Sequence, residues 1–387
     1  MERVDGLWRN GIRAAVAAGR GPSTGEISRI VSRSDTLLGT EGVCEEEARA
    51  QSGHLGFGPL SSFVDDPRAT DVLANGDGRI WVDRGRGLED TGQRVPADGL
   101  RPLAVRLAAM GGRRLDDAQP WVDAVLPNQI RLHAILPPLV RGEAHVSLRV
   151  PRVSPTSLHQ MVAIGLVDRV SAPVVGRLVE RGLSFLVCGG TGSGKTTLLG
   201  GLLGLVPDGE RIVVVEDVSE LRAAHGHVVH LQGRSPNVEG QGGVSMADLV
   251  RQALRMRPDR VVVGEVRGAE VRELLGALNT GHAGAGTVHA NGVREIPARL
   301  RALGSLAGLP QESVDLQLTC GLHVAVGMAR HGQVRRVTEI GVVSLSNGRA
   351  DVSPALTLDR STWAHGPGLA GLQSLLDRDL TPDVDVA

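Results

Sequence analysis

GGTGSGKTTLLGGLL, residues Gly189–Leu203, decides how the rest of this chain is read. It contains Lys195, the one lysine in a chain whose Lys and Arg total 42, so every other basic position is arginine. Tyrosine is absent while Ala, Gly, Val and Leu abound, the pattern of a GC-rich coding bias, and position 195 keeps its ammonium against that bias. The spacing Gly189-x-x-x-x-Gly194-Lys195-Thr196 supplies the reason. In such a P-loop a glycine-rich backbone wraps a phosphate, the lysine reaches the β- and γ-phosphates, and the threonine hydroxyl ligates Mg²⁺. An ammonium is a compact charge on a thin stem, whereas a guanidinium is a planar fork too wide for that ring of amides. Nucleotide contacts are therefore expected from Gly189, Gly190, Thr191, Gly192, Ser193, Gly194, Lys195, Thr196 and Thr197, with Thr196 on the metal.

The flanks fit the motif. Leu183–Cys188 reads as a buried strand running into the loop, and Thr196–Leu205 as a helix whose N-terminus faces the phosphates. Downstream, the apolar runs Ile212–Val215, His227–Leu231, Val261–Val263 and Gly286–His289 alternate with helical stretches. Short β-branched runs separated by helices predict a mainly parallel sheet covered on both faces, an α/β fold. Ligands of open α/β sheets sit beyond the carboxyl ends of the strands, and three strand ends here carry chemistry. RIVVVEDVSEL ends in Glu216, Asp217 and Glu220; MRPDRVVVGEVRG ends in Glu265; TGHAGAGTVHAN carries His282 and His289. Phosphoryl transfer needs a held metal, an aimed water and a neutralised charge. Glu265 is placed to contact Mg²⁺ through water or to polarise the attacking water. The two histidines lack a nearby acidic partner set, which disfavours metal ligation, and an imidazole donates readily to a phosphate oxygen.

Composition sets the outer bounds. At about 150 residues per domain the 387 residues suggest two or three domains, and 41% apolar content suffices for their cores. A net charge of −1 and only four Trp and three Phe argue against a nucleic-acid partner. Cys44, Cys188 and Cys320 are widely spaced, so neither a disulfide framework nor a zinc site is expected. No run reaches the roughly 18 to 20 apolar residues of a membrane helix, and the N-terminus has acids and arginines where a signal peptide is apolar, so a cytoplasmic location is expected. Residues 1–60 read as a helical arm and 61–150 as an α+β domain. The latter contains a hairpin in DVLANGDGRIWVDRG, a helix over Leu100–Met110, and strands in WVDAVLPNQIRLHAILPP and HVSLRVPR. Proline and serine mark a linker over 151–165, residues 166–345 carry the P-loop domain, and 346–387, rich in Gly, Pro, Ser and Asp, read as a tail.

P-loop, EDVSEL, RSPNVEGQGGVSMADLVRQALRMRPDRVVVGEVRG and LNTGHAGAGTVHAN together resemble the secretion or traffic ATPases of the type II/type IV secretion superfamily. They look most like the branch that powers tight-adherence (Tad/Flp) pili, over residues from about 55 to 345. The resemblance implies a RecA-like ATPase domain with Walker A, Asp box, Walker B and His box, a smaller α+β N-terminal domain and a flexible linker between them. It implies ATP and Mg²⁺ as cofactors, with Lys195 and Thr196 as phosphate and metal contacts, Glu220 as the Asp-box acid that prepares the water, and Glu265 as the Walker B acid. His289, with His282 near it, becomes the His-box sensor, and Arg131 and Arg149 the N-terminal-domain arginines set against the phosphates. It further implies a homo-hexamer, peripheral at the inner face of the cytoplasmic membrane and working on an inner-membrane platform protein. Two departures stand out. Relatives carry a basic pair where Val150 and Pro151 follow Arg149, and the tetracysteine zinc module of the type II branch is missing. A type IV secretion or conjugative transfer ATPase shares the same core and stays open as an alternative, as does a retraction motor. A nucleotide-dependent scaffold that binds without turnover is the alternative of another class.

Overall fold

Alternation of apolar and polar residues builds one half of the chain, and continuous valine runs build the other. The structure is a computed structural model that describes residues 56–96, 98–151, 157–234, 236, 241–332 and 334–377. It divides into two units, Met1–Arg152 and Val153–Ala387.

In the first unit, strands β1 (Asp71–Ala74), β2 (Arg79–Asp83), β3 (Leu88–Arg94), β4 (Trp121–Val125), β5 (Arg131–Ile135) and β6 (His145–Arg149) form an antiparallel sheet in the order β3-β2-β1-β6-β5-β4. Val72, Ala74, Ile80, Val82, Val146 and Leu148 point to one face, as period-2 alternation requires. Helix α1 (Leu100–Met110) covers that face with Leu100, Leu103, Ala104, Leu107 and Ala108, the stripe that a 3.6-residue repeat produces. The β1–β2 hairpin turns at Gly78, whose φ of +82° and close approach to the Val95 carbonyl oxygen, 2.5 Å from where a Cβ would stand, leave room for glycine alone.

The second unit is a nine-stranded sheet in the order β15-β14-β13-β12-β7-β11-β10-β8-β9. Its strands are β7 (Phe185–Gly189), β8 (Ile212–Glu216), β9 (Val228–Gln232), β10 (Arg260–Val266), β11 (Ala283–Val288), β12 (Val324–His331), β13 (Val334–Ser346), β14 (Arg349–Asp359) and β15 (Thr362–His365). From β12 to β9 all neighbours are parallel, and β13 to β15 return antiparallel. Every residue of β7 and β8 is buried because helices lie on both faces. One layer holds α2 (Leu158–Ala163), α3 (Ser171–Glu180) and α4 (Lys195–Leu203), which pack Met161, Val174, Val175, Leu198 and Leu202 together. The other holds α5 (Met246–Ala253), α6 (Glu270–Asn279), α7 (Ile296–Leu306) and α8 (Gln311–Gly321), around Val250, Leu274, Leu300 and Val314. Among the described residues no helix is long and apolar enough to cross a membrane.

Three expectations change here. The expected tail from residue 346 is instead part of the fold: β13 and β14 are joined by Asn347-Gly348, both at positive φ, and α9 (Leu369–Leu376) buries Leu372 and Leu376 in the same core as α3. Asn-Gly is the two-residue hairpin signal, and the polar composition of the segment masked it. The expected linker over 151–165 is shorter: residues 152–156 lie outside the described residues, and from Ser157, whose hydroxyl accepts the Gln160 N–H at 3.2 Å, the chain is helical and buries Met161. Of the expected arm, residues 1–55 lie outside the described residues, and Leu60 already belongs to the core of the first unit.

Candidate functional site

The carboxyl ends of β7, β8, β10 and β11 lie side by side in the second unit, and each delivers one part of the site. At the end of β7, Gly189 has φ +152°, and a Cβ there would stand 2.5 Å from the Met328 carbonyl oxygen and 2.6 Å from Ser193 Oγ. Gly192 and Gly194 follow at φ +71° and +96°, a left-handed conformation that turns the backbone around the anion site before α4 begins. Lys195 is 7% exposed, and its Nζ donates to the carbonyl oxygens of Gly189 and Gly190 at 3.0 Å each. Burial pushes the ammonium below the usual lysine pKa, and the negative charge of Glu265 opposes that shift. Ser193 Oγ is buried with no hydrogen-bond partner among the described residues. A phosphate chain fits this cradle, because it would satisfy the orphaned hydroxyl and stabilise the buried charge. Thr196 and Thr197 stand half-buried on the first turn of α4.

Glu265 is aimed by a bulge. The pairing of β10 with β11 shifts register between Val263 and Val266, and Thr287 Oγ1 donates to the Gly264 carbonyl oxygen at 2.7 Å beside the irregularity. Bulges re-aim side chains at strand ends, and this one places Glu265 Oε1 3.0 Å from Nε2 of His289, the residue following β11. The pair keeps access to solvent, with side chains 37% and 41% exposed.

Glu220 is held by an acid that sequence reasoning noted but gave no task. Glu216 is 4% exposed, and its Oε1 accepts the N–H groups of Glu220 at 3.0 Å and Leu221 at 2.9 Å. The same carboxylate packs over Gly264, where a Cβ would stand 2.6 Å from Glu216 Cγ. Glu216 thus ties the turn bearing Glu220 to the strand bearing Glu265. Glu270, also missed, accepts from the N–H groups of Arg267 at 2.6 Å and Gly268 at 2.7 Å and fixes the loop after β10, while Arg267 pairs with Asp217.

One expectation is overturned within the site. His282 precedes β11 and His289 follows it, so seven residues at about 3.3 Å each put them about 23 Å apart, at opposite edges of the sheet. His282 contacts Thr280 Oγ1 through Nδ1 at 3.1 Å instead. AGAGTV is an extended strand, and the two histidines flank it. Arg131 and Arg149 lie in the first unit, directly opposite one another across β5 and β6, and Asp71 faces Arg149 from β1. Mg²⁺ takes few protein ligands and keeps phosphate oxygens and waters, so the Thr196 hydroxyl with the Glu265 carboxylate is a donor set of the right kind.

The chain matches the family described as Type II/IV secretion system protein over residues 54–329. A Mycobacterium tuberculosis protein provisionally named for conjugal transfer is 47% identical over 333 residues, covering 84% of this chain and 95% of its own length. Conjugal transfer protein TrbB of Rhizobium radiobacter is 31% identical over 289 residues, 73% of this chain and 85% of that protein. Among solved structures, the Legionella pneumophila ATPase DotB shares the fold with a TM-score of 0.52, 19% identity and 83% of each chain covered. With a phosphate cradle around Lys195 and an acid paired to an imidazole at the adjacent strand ends, the chain belongs to the type II/IV secretion system protein family and is an ATPase of it.

Proposed function

We propose that this chain is the ATP-hydrolysing motor of a secretion machine, working as a homo-hexamer at the inner face of the cytoplasmic membrane on an inner-membrane platform protein. The observation that carries the reading is the 3.0 Å contact between Glu265 and His289 on the strand edge that bears the P-loop. Lys195, Ser193 and the loop amides hold the β- and γ-phosphates of ATP. Glu265 accepts the proton of the attacking water, and Glu220, on the turn pinned by Glu216, aims that water. His289 exchanges Glu265 for a γ-phosphate oxygen when ATP binds and so reports the nucleotide state. Thr196 and Glu265 would hold Mg²⁺, which would supply neutralising charge to the phosphates. Arg131 and Arg149 are the arginines assigned to neutralise charge in the transition state.

The quoted motif set supports assembly of a Tad/Flp-type pilus as the work done. The names of the two relatives, both for conjugal transfer, favour a second reading in which the same motor serves a type IV secretion apparatus. The first experiment is phosphate release from the purified full chain with Mg-ATP, alongside Glu265→Gln and Lys195→Arg, with particle mass measured in the same samples. Hydrolysis by a hexamer, nearly silent in both variants, is expected. Tight ATP binding without phosphate release in wild type would replace the motor by a scaffold. In the host, a chromosomal Glu265→Gln that removes surface fibres supports the pilus reading, and one that leaves fibres while abolishing plasmid transfer supports the conjugal reading.

A further inference from the structure

One row of residues crosses the sheet just below its carboxyl edge. Glu339 of β13 pairs with Gly327 of β12, Gly327 with Cys188 of β7, and Cys188 with Val288 of β11. Strands lie about 4.8 Å apart, so three spacings put Glu339 about 14 Å from Val288, the residue before His289. The chain leaving His289 comes back across those strand ends. Val293 is buried over β12 and β13: a Cβ on Gly327 would stand 3.2 Å from Val293 Cγ1, and one on Gly341 would stand 3.2 Å from Val293 Cγ2. There Glu339 Oε2 accepts the Val293 N–H at 3.1 Å, the acceptor that the amide of a buried residue requires. Two glycines leave room for that carboxylate, since a Cβ would stand 3.2 Å from Glu339 Oε2 on Gly327 and 3.1 Å from it on Gly292. The bridge from Val288 to Val293 covers two to three strand spacings, about 10 to 14 Å, and five residue steps reach at most about 18 Å. Little slack is left, and His289 lies inside the bridge. Glu295 Oε2 accepts the Asn291 N–H at 2.9 Å within the bridge's own turn, whereas Glu339 ties the bridge to another strand.

We propose that Glu339 is a positioning residue of the hydrolytic site, fixing the far end of this bridge so that the His289 imidazole stays within reach of both Glu265 and the γ-phosphate. The inference rests on the reading of Glu265 and His289 as the site of hydrolysis. An acid and an imidazole 3.0 Å apart, each more than a third exposed, do not hold themselves in place, because exposed pairs gain little against the entropy of their side chains. Their geometry has to come from the backbone on which the imidazole is mounted. Pairing of β11 with β7 and β10 fixes that backbone before His289, and the Glu339 hydrogen bond fixes it after. A reacting group misplaced by about 1 Å can cost about 100-fold in rate, so a tether of this kind acts on turnover without touching the nucleotide.

The test measures kcat and KM for phosphate release, and affinity for a fluorescent ATP analogue, on the purified full chain. The proteins are wild type, Glu339→Ala, Glu339→Asp, Glu339→Gln, His289→Ala and the double variant that combines His289→Ala with Glu339→Ala. Glu339→Ala is expected to lower kcat about 10- to 100-fold, with ATP affinity within a few-fold of wild type. Aspartate keeps the charge but is one methylene too short for the Val293 N–H, so its kcat should fall as well. Glutamine keeps an acceptor at full length and should restore most of the wild-type kcat. Once His289 is replaced, removing Glu339 should change kcat less than about twofold, because the carboxylate acts through an imidazole that is gone. Equal fold-losses from Glu339→Ala with and without His289 overturn the inference and leave Glu339 a structural residue. So does wild-type kcat in Glu339→Ala, and so does a glutamine variant as slow as alanine, which would make the charge rather than the hydrogen bond the cause. Should the alanine variant not fold, the aspartate and glutamine variants decide, and equal kcat in those two overturns the inference. If His289→Ala hydrolyses ATP like wild type, the role given to His289 fails and the positioning fails with it; if His289→Ala is slow while Glu339→Ala is not, that role stands and only the positioning falls.

Discussion

Glu265 can be neutralised without disturbing its neighbour, because glutamine at that position still offers an acceptor 3.0 Å from His289. Removing the base while keeping the geometry should therefore separate turnover from binding. Phosphate release in Glu265→Gln is expected to fall at least about 100-fold, the scale of general-base catalysis, with the affinity for ATP within a few-fold of wild type. Parallel loss of both would move Glu265 from the chemistry to the binding of the phosphates. A second residue-scale prediction concerns His323, whose Nδ1 accepts the Ser184 N–H at 3.1 Å at the far end of β12. Burial pushes its pKa below the usual 6.5, so in acid the unfolded chain takes up a proton that the folded chain refuses. Stability from this site is complete above 6.5 and is lost as pH falls through the lowered folded value. The melting temperature of wild type should thus drop more steeply below pH 6.5 than that of His323→Gln, which keeps an acceptor and cannot titrate there. Identical slopes would acquit the imidazole.

At the scale of elements, what the sequence discloses follows from what a local pattern can encode. The valine runs of β8 and β10, the stripe of α1 and the turn between β1 and β2 are properties of one segment, and each lies where its pattern puts it. The bulge at Gly264 is a property of two strands, and nothing within GEVRG marks it. AGAGTV lacks the bulk of a strand because its neighbours come close: a Cβ on Gly284 would stand 2.2 Å from Leu278 Cδ2, and one on Gly286 would stand 2.8 Å from the Val263 carbonyl oxygen. The resemblance set His282 near His289, and the strand that runs between them separates them. Glu216 was legible as an acid after a core strand, but its burial and its two backbone donors depend on Gly264 of another strand. That dependence is testable. Gly264→Ala drives a methyl group to 2.6 Å from Glu216 Cγ and 3.1 Å from its Oε1. Overpacking of this kind costs about 1–3 kcal/mol in denaturant unfolding. Phosphate release should fall by more than the unfolded fraction explains, because the turn carrying Glu220 shifts with Glu216. Wild-type turnover in a destabilised Gly264→Ala protein would show that Glu216 supports the fold without setting the site.

For the whole molecule, the decisive element is the C-terminal segment that composition marked as a tail. Its residues complete the second unit from both sides of the sheet. Leu356, Leu372 and Leu376 enter the core with α3 and α4, while Ala350 and Val352 enter the core with α7 and α8. Polar ties run the same way: Trp363 Nε1 donates to Asp168 Oδ2 at 2.7 Å, Arg177 Nε donates to the Leu376 carbonyl oxygen at 3.3 Å, and the buried carboxylate of Asp315 accepts from the Ala350 N–H at 3.1 Å and from Arg301 Nη1 at 2.7 Å. Emptying a single large core position costs about 2–5 kcal/mol, and a domain has only about 5–15 kcal/mol to lose. A chain ending at Ser346 strips three large side chains from the core at once and leaves β13 without its outer partner, so its second unit should show no cooperative unfolding and no ATP binding. The first unit has a separate core around Leu60, Ile80, Leu107 and Leu132, and it should survive. Limited proteolysis followed by mass measurement reads both at once: a protected fragment bounded near residue 152, with the remainder digested, is the expected result. A truncated protein that keeps wild-type affinity for ATP would return the residues beyond Ser346 to the status of an appendage.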